Sequence, residues 1–362
     1  MLKPAIKFDV RAHLSPRSAE ERLELMAAPA FGKVFTDHMI TMRWRDGIGW
    51  HDPEVRAREP FSIDPACSVL HYAQEIFEGL KAYRTAAGGT ALFRPEQNAR
   101  RFAASARRLA MPEVPEQVFL DAVMALVDAD KDWVPGGDGS LYLRPFMFAS
   151  ETFLGVRPSA EYVFCVIACP VGSYFKGGDR PLRLWVSDLH SRAAPGGTGA
   201  AKCGGNYAAS LVAQAEAIEN DCDQVVFLDA IEHRWIEELG GMNLFFVMQD
   251  QTLITPQLGG TILPGITRDS LLTLARDCGL SVQERRYSIE EWREDAASGR
   301  LVEAFACGTA SVISGVGEIQ FGSSRFAVGN GAVGSLTRAL RDELTMLQRA
   351  ALPDRHGWIV NL

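Results

Sequence analysis

The residue with the most chemical potential is Lys202, which lies in the run Pro195-Gly196-Gly197-Thr198-Gly199-Ala200-Ala201-Lys202-Cys203-Gly204-Gly205-Asn206-Tyr207. Glycines on both sides let backbone crowd around it. A crowded, desolvated amine loses its proton near neutral pH and forms a Schiff base with an aldehyde, whereas a solvated lysine on a flexible stem stays charged. Glycine loops that happen to carry a lysine are common, so the run must be weighed against the rest of the chain. Two phosphate loops fail on it. Walker A needs a lysine directly after glycine and a hydroxyl next, but Ala201 precedes Lys202 and Cys203 follows it. The dinucleotide fingerprint G-x-G-x-x-G breaks at its sixth position, which is Lys202 itself. A full match does occur at Gly329-Asn330-Gly331-Ala332-Val333-Gly334, between Phe326-Ala327-Val328 and a helical stretch at 335–351. With Leu362 as the last residue, no room is expected for the next strand and acidic residue about 20 positions on. The match is therefore read as a tight turn into a terminal helix, and a nicotinamide oxidoreductase is retained as the alternative from another class.

Three further features could serve the same chemistry. In Trp235-Ile236-Glu237-Glu238-Leu239-Gly240-Gly241-Met242-Asn243, strand alternation sends the two glutamates to opposite faces, one at the surface and the other able to face inward. Leu263-Pro264-Gly265-Ile266-Thr267 runs straight into a helix, whose free N–H groups and positive dipole end suit a phosphate. Ala306-Cys307-Gly308-Thr309-Ala310-Ser311 is a turn of small residues after a strand and offers backbone donors to an anion. Each alone is weaker than its ordinary structural explanation.

With Phe35-Thr36-Asp37-His38-Met39, Leu70-His71-Tyr72-Ala73-Gln74-Glu75-Ile76-Phe77-Glu78-Gly79-Leu80-Lys81 and Leu141-Tyr142-Leu143-Arg144-Pro145 in the same order, the chain resembles the branched-chain amino acid aminotransferases. These are pyridoxal-phosphate enzymes of fold type IV, and the resemblance runs from about residue 31 to the end. It implies that Lys202 carries pyridoxal 5′-phosphate as a Schiff base and then moves the proton at the substrate's Cα, first as base and then as acid. By the E-L-G-x-M-N match it implies that Glu238, rather than Glu237, keeps the pyridine nitrogen protonated, and that Tyr207 hydrogen-bonds the ring's phenolic oxygen. Arg101, the backbone of Ile266 and Thr267, and Thr309 are implied as the phosphate grip, with Leu263 and Gly265 in the same cofactor set.

For the substrate, the resemblance implies an apolar pocket walled by Phe31, Phe77, Tyr142 and Tyr174. Gly308 and the backbone of Thr309 and Ala310 are placed at the α-carboxylate, and Arg144 where the second carboxylate of glutamate arrives. A second subunit is implied to close the pocket with Tyr72, Leu154 and Val156, which makes an obligate homodimer. The activity implied is a ping-pong transfer of the amino group between leucine, isoleucine or valine and 2-oxoglutarate. D-amino acid transaminases and aminodeoxychorismate lyases share the lysine and the glutamate and are the same-fold alternatives. The chain departs from the family in two places: Gly241 stands where many relatives have threonine, and Ser311-Val312-Ile313-Ser314 stands where some have a C-x-x-C pair, so a thiol switch there is not expected.

The elements that must position these residues read as a mixture of helices and strands. Residues 95–111 and 115–130 carry helical signals, with Val118, Phe119, Ala122, Val123, Leu126 and Val127 spaced as one buried face. Strands are expected at 141–149, 162–169, 182–187 and 224–229, a helix starting near Asn206, and a hairpin at 243–255. A helix at 267–278 follows, and Ser288-Ile289-Glu290-Glu291 opens another that ends before Gly299. The fold class is thus α/β or α+β in two lobes: a small N-terminal domain at 1–175, an interdomain loop at 176–187 containing several glycines, and a larger lysine-bearing domain at 188–362.

A chain of 362 residues that is 47% hydrophobic can bury two cores. Its net charge of −8 without a basic tract argues against nucleic acid or an anionic membrane as partner. Seven cysteines without C-x-x-C suggest reduced thiols in apolar surroundings, and neither they nor the seven histidines show metal spacing, so no metal is expected. No membrane-length apolar run or signal-peptide pattern is read in the sequence, so a cytoplasmic location is expected.

Overall fold

The computed structural model describes residues 6–11, 13–172 and 180–362. The chain divides into two compact units. The first is Met1–Tyr174 with Ala201–Gly204 and Met346–Leu362, and the second is Phe175–Ala200 with Gly205–Thr345.

The first unit is built on strands β1 Asp9–Val10, β2 His38–Arg45, β3 Gly49–Ala57, β4 Glu75–Phe77, β5 Leu80–Arg84, β6 Thr90–Phe93, β7 Ser140–Ala149 and β8 Glu161–Val171. They run in the spatial order β1-β3-β2-β8-β7-β5-β6, with β4 pairing β7. Helices α1 Ala19–Ala27, α2 Val69–Tyr72, α3 Pro95–Arg108 and α4 Glu116–Ala129 belong to it. Pro95 opens α3, where its missing N–H costs nothing. The buried face of α4 is Val118, Phe119, Ala122, Val123, Leu126 and Val127, as the spacing requires. Phe102 of α3 meets Phe119 of α4 at 5.3 Å and Phe164 of β8 at 5.6 Å between ring centroids, joining both helices to the sheet.

The second unit holds β9 Leu182–Ser187, β10 Gln224–Leu228, β11 Ile236–Leu239, β12 Asn243–Met248, β13 Thr252–Thr255, β14 Ser281–Glu284, β15 Leu301–Gly308, β16 Val312–Phe321 and β17 Ser324–Ala327. Their order is β11-β10-β9-β16-β15-β12-β13-β14, and an additional β11–β12 pairing closes six of them into a ring. Its helices are α5 Gly204–Ala208, which begins at the edge of the lysine segment, then α6 Leu211–Glu219, α7 Ile266–Asp277, α8 Ile289–Ser298 and α9 Ser335–Gln348. Ser288 caps α8 by accepting from Glu291 N–H, and Gly299 ends it at φ 74°.

Three expectations change. Residues 182–187 form the expected strand, β9, paired in parallel with both β10 and β16, so the interdomain loop expected at 176–187 does not extend over them. The lysine segment Ala201–Gly204 groups with the first unit, not with the residues that flank it in sequence, because Lys202 N–H donates to Ser105 Oγ and Lys202 O accepts from Phe77 N–H. Beyond α9 there is room for a strand after all: β18 Ile359–Asn361 pairs antiparallel with β6. It lies in the other sheet and in the wrong direction for a βαβ unit, so the glycines at 329 and 331, with φ of 54° and 77°, only form the turn ahead of α9. None of the seven cysteines forms a disulfide; Cys278 is exposed rather than set in apolar surroundings.

Candidate active site

In the first unit, the end of β4, the start of α3 and the segment Ala201–Gly204 converge around Lys202. The lysine is half-buried, its Nζ 4.8 Å from the Phe77 ring centroid. Burial, then the positive charge of Arg101, bring its amine down to about 8, while the Glu78 carboxylate opposes the fall. Arg101 Nε and Nη2 donate to the two oxygens of Glu78 at 2.7 and 2.9 Å, and Asn98 Nδ2 adds a third bond at 2.7 Å. Burial alone would raise the Glu78 carboxyl, but Arg101, together with Lys202 and Asn98, outweighs it and holds the group below the usual carboxylate range. Glu78 and Arg101 thus form a buried ion pair beside the amine.

Beside this pair is an aromatic wall. Phe31 packs edge-on against Tyr142 at 5.0 Å between centroids. Gly79 carries no side chain because Tyr142 fills the space: a Cβ there would lie 2.2 Å from the Tyr142 hydroxyl oxygen. Arg144 Nη2 donates to that hydroxyl at 2.9 Å, and its guanidinium carbon lies 4.7 Å from the Phe77 centroid and 5.4 Å from that of Tyr142. Arg144 Nε is buried without a hydrogen-bond partner. Among the described residues no carboxylate forms an ion pair with Arg144. A desolvated guanidinium in an aromatic wall suits an incoming carboxylate.

In the second unit, Glu238 on β11 is 2% exposed. Its Oε1 accepts from Leu263 N–H at 2.8 Å and pairs with Arg192 Nη2 at 2.6 Å, while Oε2 meets Asn243 Nδ2 at 3.4 Å. Asn243 starts β12 opposite Glu238 and also donates to Leu263 O at 3.1 Å. Gly265 makes that approach possible, since a Cβ on it would lie 2.1 Å from Asn243 Oδ1. Gly265 also precedes α7 without a side-chain cap, so the first N–H groups of the helix, at Ile266 and Thr267, are presented for an anion. Asn243 pairs on its other side with Cys307, which places Gly308, Thr309 and Ala310 at the adjoining turn between β15 and β16. Tyr207 lies in α5 on the same unit, and a Cβ on Gly241 would meet only its ring, at 3.6 Å.

The structure therefore brings Phe31, Phe77, Arg101, Tyr142, Arg144 and Lys202 together in one unit, and Glu238, Leu263, Gly265, Ile266 and Thr267 together in the other, where β15's pairing with β12 brings Gly308, Thr309 and Ala310 alongside. Tyr72, Leu154 and Val156 are exposed, and the Tyr72 hydroxyl donates to Leu154 O. Tyr174 lies outside the described residues. One expectation is corrected: Glu237 is not at the surface but 7% exposed, accepting from Thr261 Oγ1, with burial raising its carboxyl. The loop carrying Thr261 covers that face of β11, which strand alternation cannot reveal. Glu78 and Asn243 lie within the recognised motifs and Asn98 within the helical stretch at 95–111 without a distinguishing signal of their own, and Arg192 has no local signal.

The family model described as amino-transferase class IV matches residues 75–319 of the chain. A probable branched-chain-amino-acid aminotransferase of Streptomyces coelicolor is 54% identical, covering 100% of both chains, and the branched-chain-amino-acid aminotransferase of Mycobacterium tuberculosis is 53% identical, also covering 100% of both. Among solved structures, the branched-chain amino acid aminotransferase from Escherichia coli matches with a TM-score of 0.71 at 28% identity, covering 89% of this chain and 98% of that one. A branched-chain amino acid aminotransferase with pyridoxamine 5′-phosphate matches at 0.72 and 30%, with 88% and 97% covered.

Proposed function

The chain belongs to the class IV aminotransferase family and acts on branched-chain amino acids, and we propose that it passes their amino group to 2-oxoglutarate with pyridoxal 5′-phosphate as cofactor. The residues present fit that group: a buried amine brought to about 8, a buried carboxylate held by Arg192, and a helix start with no side-chain cap. When bound, the cofactor supplies an electron sink for the pair left on the substrate's Cα. Lys202 would bind it covalently and move the proton at Cα, as base and then as acid. Glu238 would keep the ring nitrogen protonated, Tyr207 would donate to the ring oxygen, and Leu263 and Gly265 would shape the ring's surroundings. Ile266 and Thr267 N–H, Thr309 and Arg101 would hold the phosphate, with the Arg101 guanidinium oriented by Glu78.

The observation that carries the substrate reading is Arg144 with a buried, unpartnered Nε inside the wall of Phe31, Phe77 and Tyr142. An aliphatic branched side chain packs on the rings, and the second carboxylate of glutamate finds the guanidinium. Gly308, Thr309 and Ala310 would hold the α-carboxylate, and Tyr174 would complete the apolar wall. The exposed Tyr72, Leu154 and Val156 support a homodimer in which these residues close the partner's pocket. Seven cysteines without a disulfide support a cytoplasmic location. A panel of L-leucine, L-isoleucine, L-valine and D-alanine with 2-oxoglutarate tests the reading. Turnover of the three L-amino acids and not of D-alanine is expected; the reverse would assign the site to a D-amino acid transaminase.

A further inference from the structure

Three hydrogen bonds grip the backbone around Lys202 from its own unit. Ser105 Oγ accepts Lys202 N–H at 2.9 Å, Phe77 N–H donates to Lys202 O at 2.9 Å, and Glu75 Oε1 accepts Gly204 N–H. The third differs in kind, because it comes from a carboxylate at the end of a half-buried side chain. Glu75 and Phe77 lie two apart on β4 and so project to one face, the face on which Lys202 Nζ approaches the Phe77 ring. Gly204 is fitted to this contact, since a Cβ there would lie 2.2 Å from Glu75 Oε1.

We infer that Glu75 is a positioning residue for Lys202: by accepting Gly204 N–H, its carboxylate fixes the exit of the lysine segment and hence the direction of the amine. The inference rests on the reading of Lys202 as the reactive lysine. Ser105 and Phe77 fix the peptide groups at Lys202, and Glu75 fixes the chain two residues later. Without the last of these, the other bonds from β4 and α3 hold the peptide groups at Lys202 but not the exit of the segment at Gly204. Burial pushes the Glu75 carboxyl up, while Gly204 N–H and Arg144 pull it back. Reach is therefore the property that matters, because an uncharged acceptor of the same length makes the same bond.

Two variants separate reach from charge. Glu75→Gln keeps the length and an accepting oxygen but loses the charge, and Glu75→Asp keeps the charge but falls one methylene short. In both, hydrogen exchange at the Gly204 amide is measured by mass spectrometry on cofactor-free protein, and kcat and KM for leucine are measured on the loaded enzyme. Glu75→Asp is expected to speed exchange at Gly204 and to lower kcat by about tenfold each, with KM changing much less, since displacement of a catalytic group by a fraction of an ångström acts on turnover. Glu75→Gln is expected to stay within about twofold of wild type in both readouts. Glu75→Gln falling as far as Glu75→Asp would overturn the inference, as would faster exchange in Glu75→Asp with unchanged kcat. Should Glu75→Asp not fold, Glu75→Gln decides alone: retained protection and turnover support the inference, and loss of either refutes it. Lys202→Ala is run alongside. If it keeps turnover, the assignment of Lys202 fails, while the exchange data still report on the bond from Glu75.

Discussion

Two lysines of the first unit, Lys81 buried and Lys202 half-buried, carry a similarly depressed amine in different surroundings. Lys81, on β5, is 7% exposed and brought to about 8 by burial and then by Arg349. Lys202 is brought to the same value by burial and then by Arg101. Around Lys81 the partners build the fold: β5 is paired on both sides, with β6 and β7, and Arg349 donates to Gly139 O while its guanidinium lies over the Tyr83 ring. Lys202 sits outside any strand among small residues, next to the Glu78–Arg101 pair and against Phe77. A low amine pKa thus marks burial, and the reading of Lys202 as the reactive amine rests on what surrounds it: an irregular backbone, a compensated ion pair and an aromatic wall.

The largest effect that could break this contrast comes from removing each lysine. Lys202→Ala should lower turnover by roughly 10²–10⁴-fold through loss of the positioned base, with steady-state kinetics on leucine as the measurement. Lys81→Met should keep turnover far above that level, since a buried amine is exchanged for a side chain of similar length. Equal losses would erase the distinction between the two sites.

Much of the frame behind this contrast is legible in the sequence. The six apolar positions of α4 announce its buried face because a helix needs only local spacing, and the capping serine at Ser288 announces α8 in the same way. The lysine, both glutamates and the turn at Thr309 are likewise visible as motifs. What the sequence conceals is set by pairings between distant residues. Lys202 belongs with β4 and α3 because of bonds to Phe77 and Ser105, each about a hundred positions or more away in the chain. Glu237 is buried because a loop that includes Thr261 returns over it, and Arg192 reaches Glu238 from a segment with no recognisable pattern. Alternation assigns faces to residues but says nothing of what covers each face.

The two glutamates of β11 sharpen the comparison at the next size of effect. Glu238→Gln preserves shape but removes the charge proposed to hold the ring nitrogen protonated. The half-reaction with leucine should slow by about tenfold or more, the equivalent of one pKa unit at that nitrogen. Glu237→Gln, on the opposite face, should leave the half-reaction near wild type. Single-turnover absorbance measurements check both, and damage confined to Glu237→Gln would exchange their roles.

Arg144 offers a smaller, substrate-dependent effect. Truncating one partner of a buried charge pair costs about 2–5 kcal/mol, and trimming a contact to an aliphatic chain costs far less. Arg144→Met should therefore lower kcat/KM in the glutamate half-reaction by at least about tenfold more than in the leucine half-reaction, about 1.4 kcal/mol. Equal losses with the two amino acids would make Arg144 a brace of the wall rather than a reader of the substrate.

The smallest expected effect is the pH dependence of the amine. Because burial and Arg101 bring the Lys202 amine down from 10.5 to about 8, its neutral form becomes the major one about 2.5 pH units earlier than for an exposed lysine. In cofactor-free protein the rate of acylation at Lys202 should rise roughly tenfold per pH unit up to about pH 8 and then level off. A rise continuing to the ordinary lysine range would remove the electrostatic basis of the contrast.

The most direct test is covalent. Wild-type protein and Lys81→Met are incubated with pyridoxal 5′-phosphate, reduced with borohydride, digested and mapped by mass spectrometry. The expected result is one phosphopyridoxyl group, on Lys202, in both proteins. A group on Lys81, or one spread over several lysines with Lys202 unmodified, would contradict the assignment of Lys202 as the cofactor lysine.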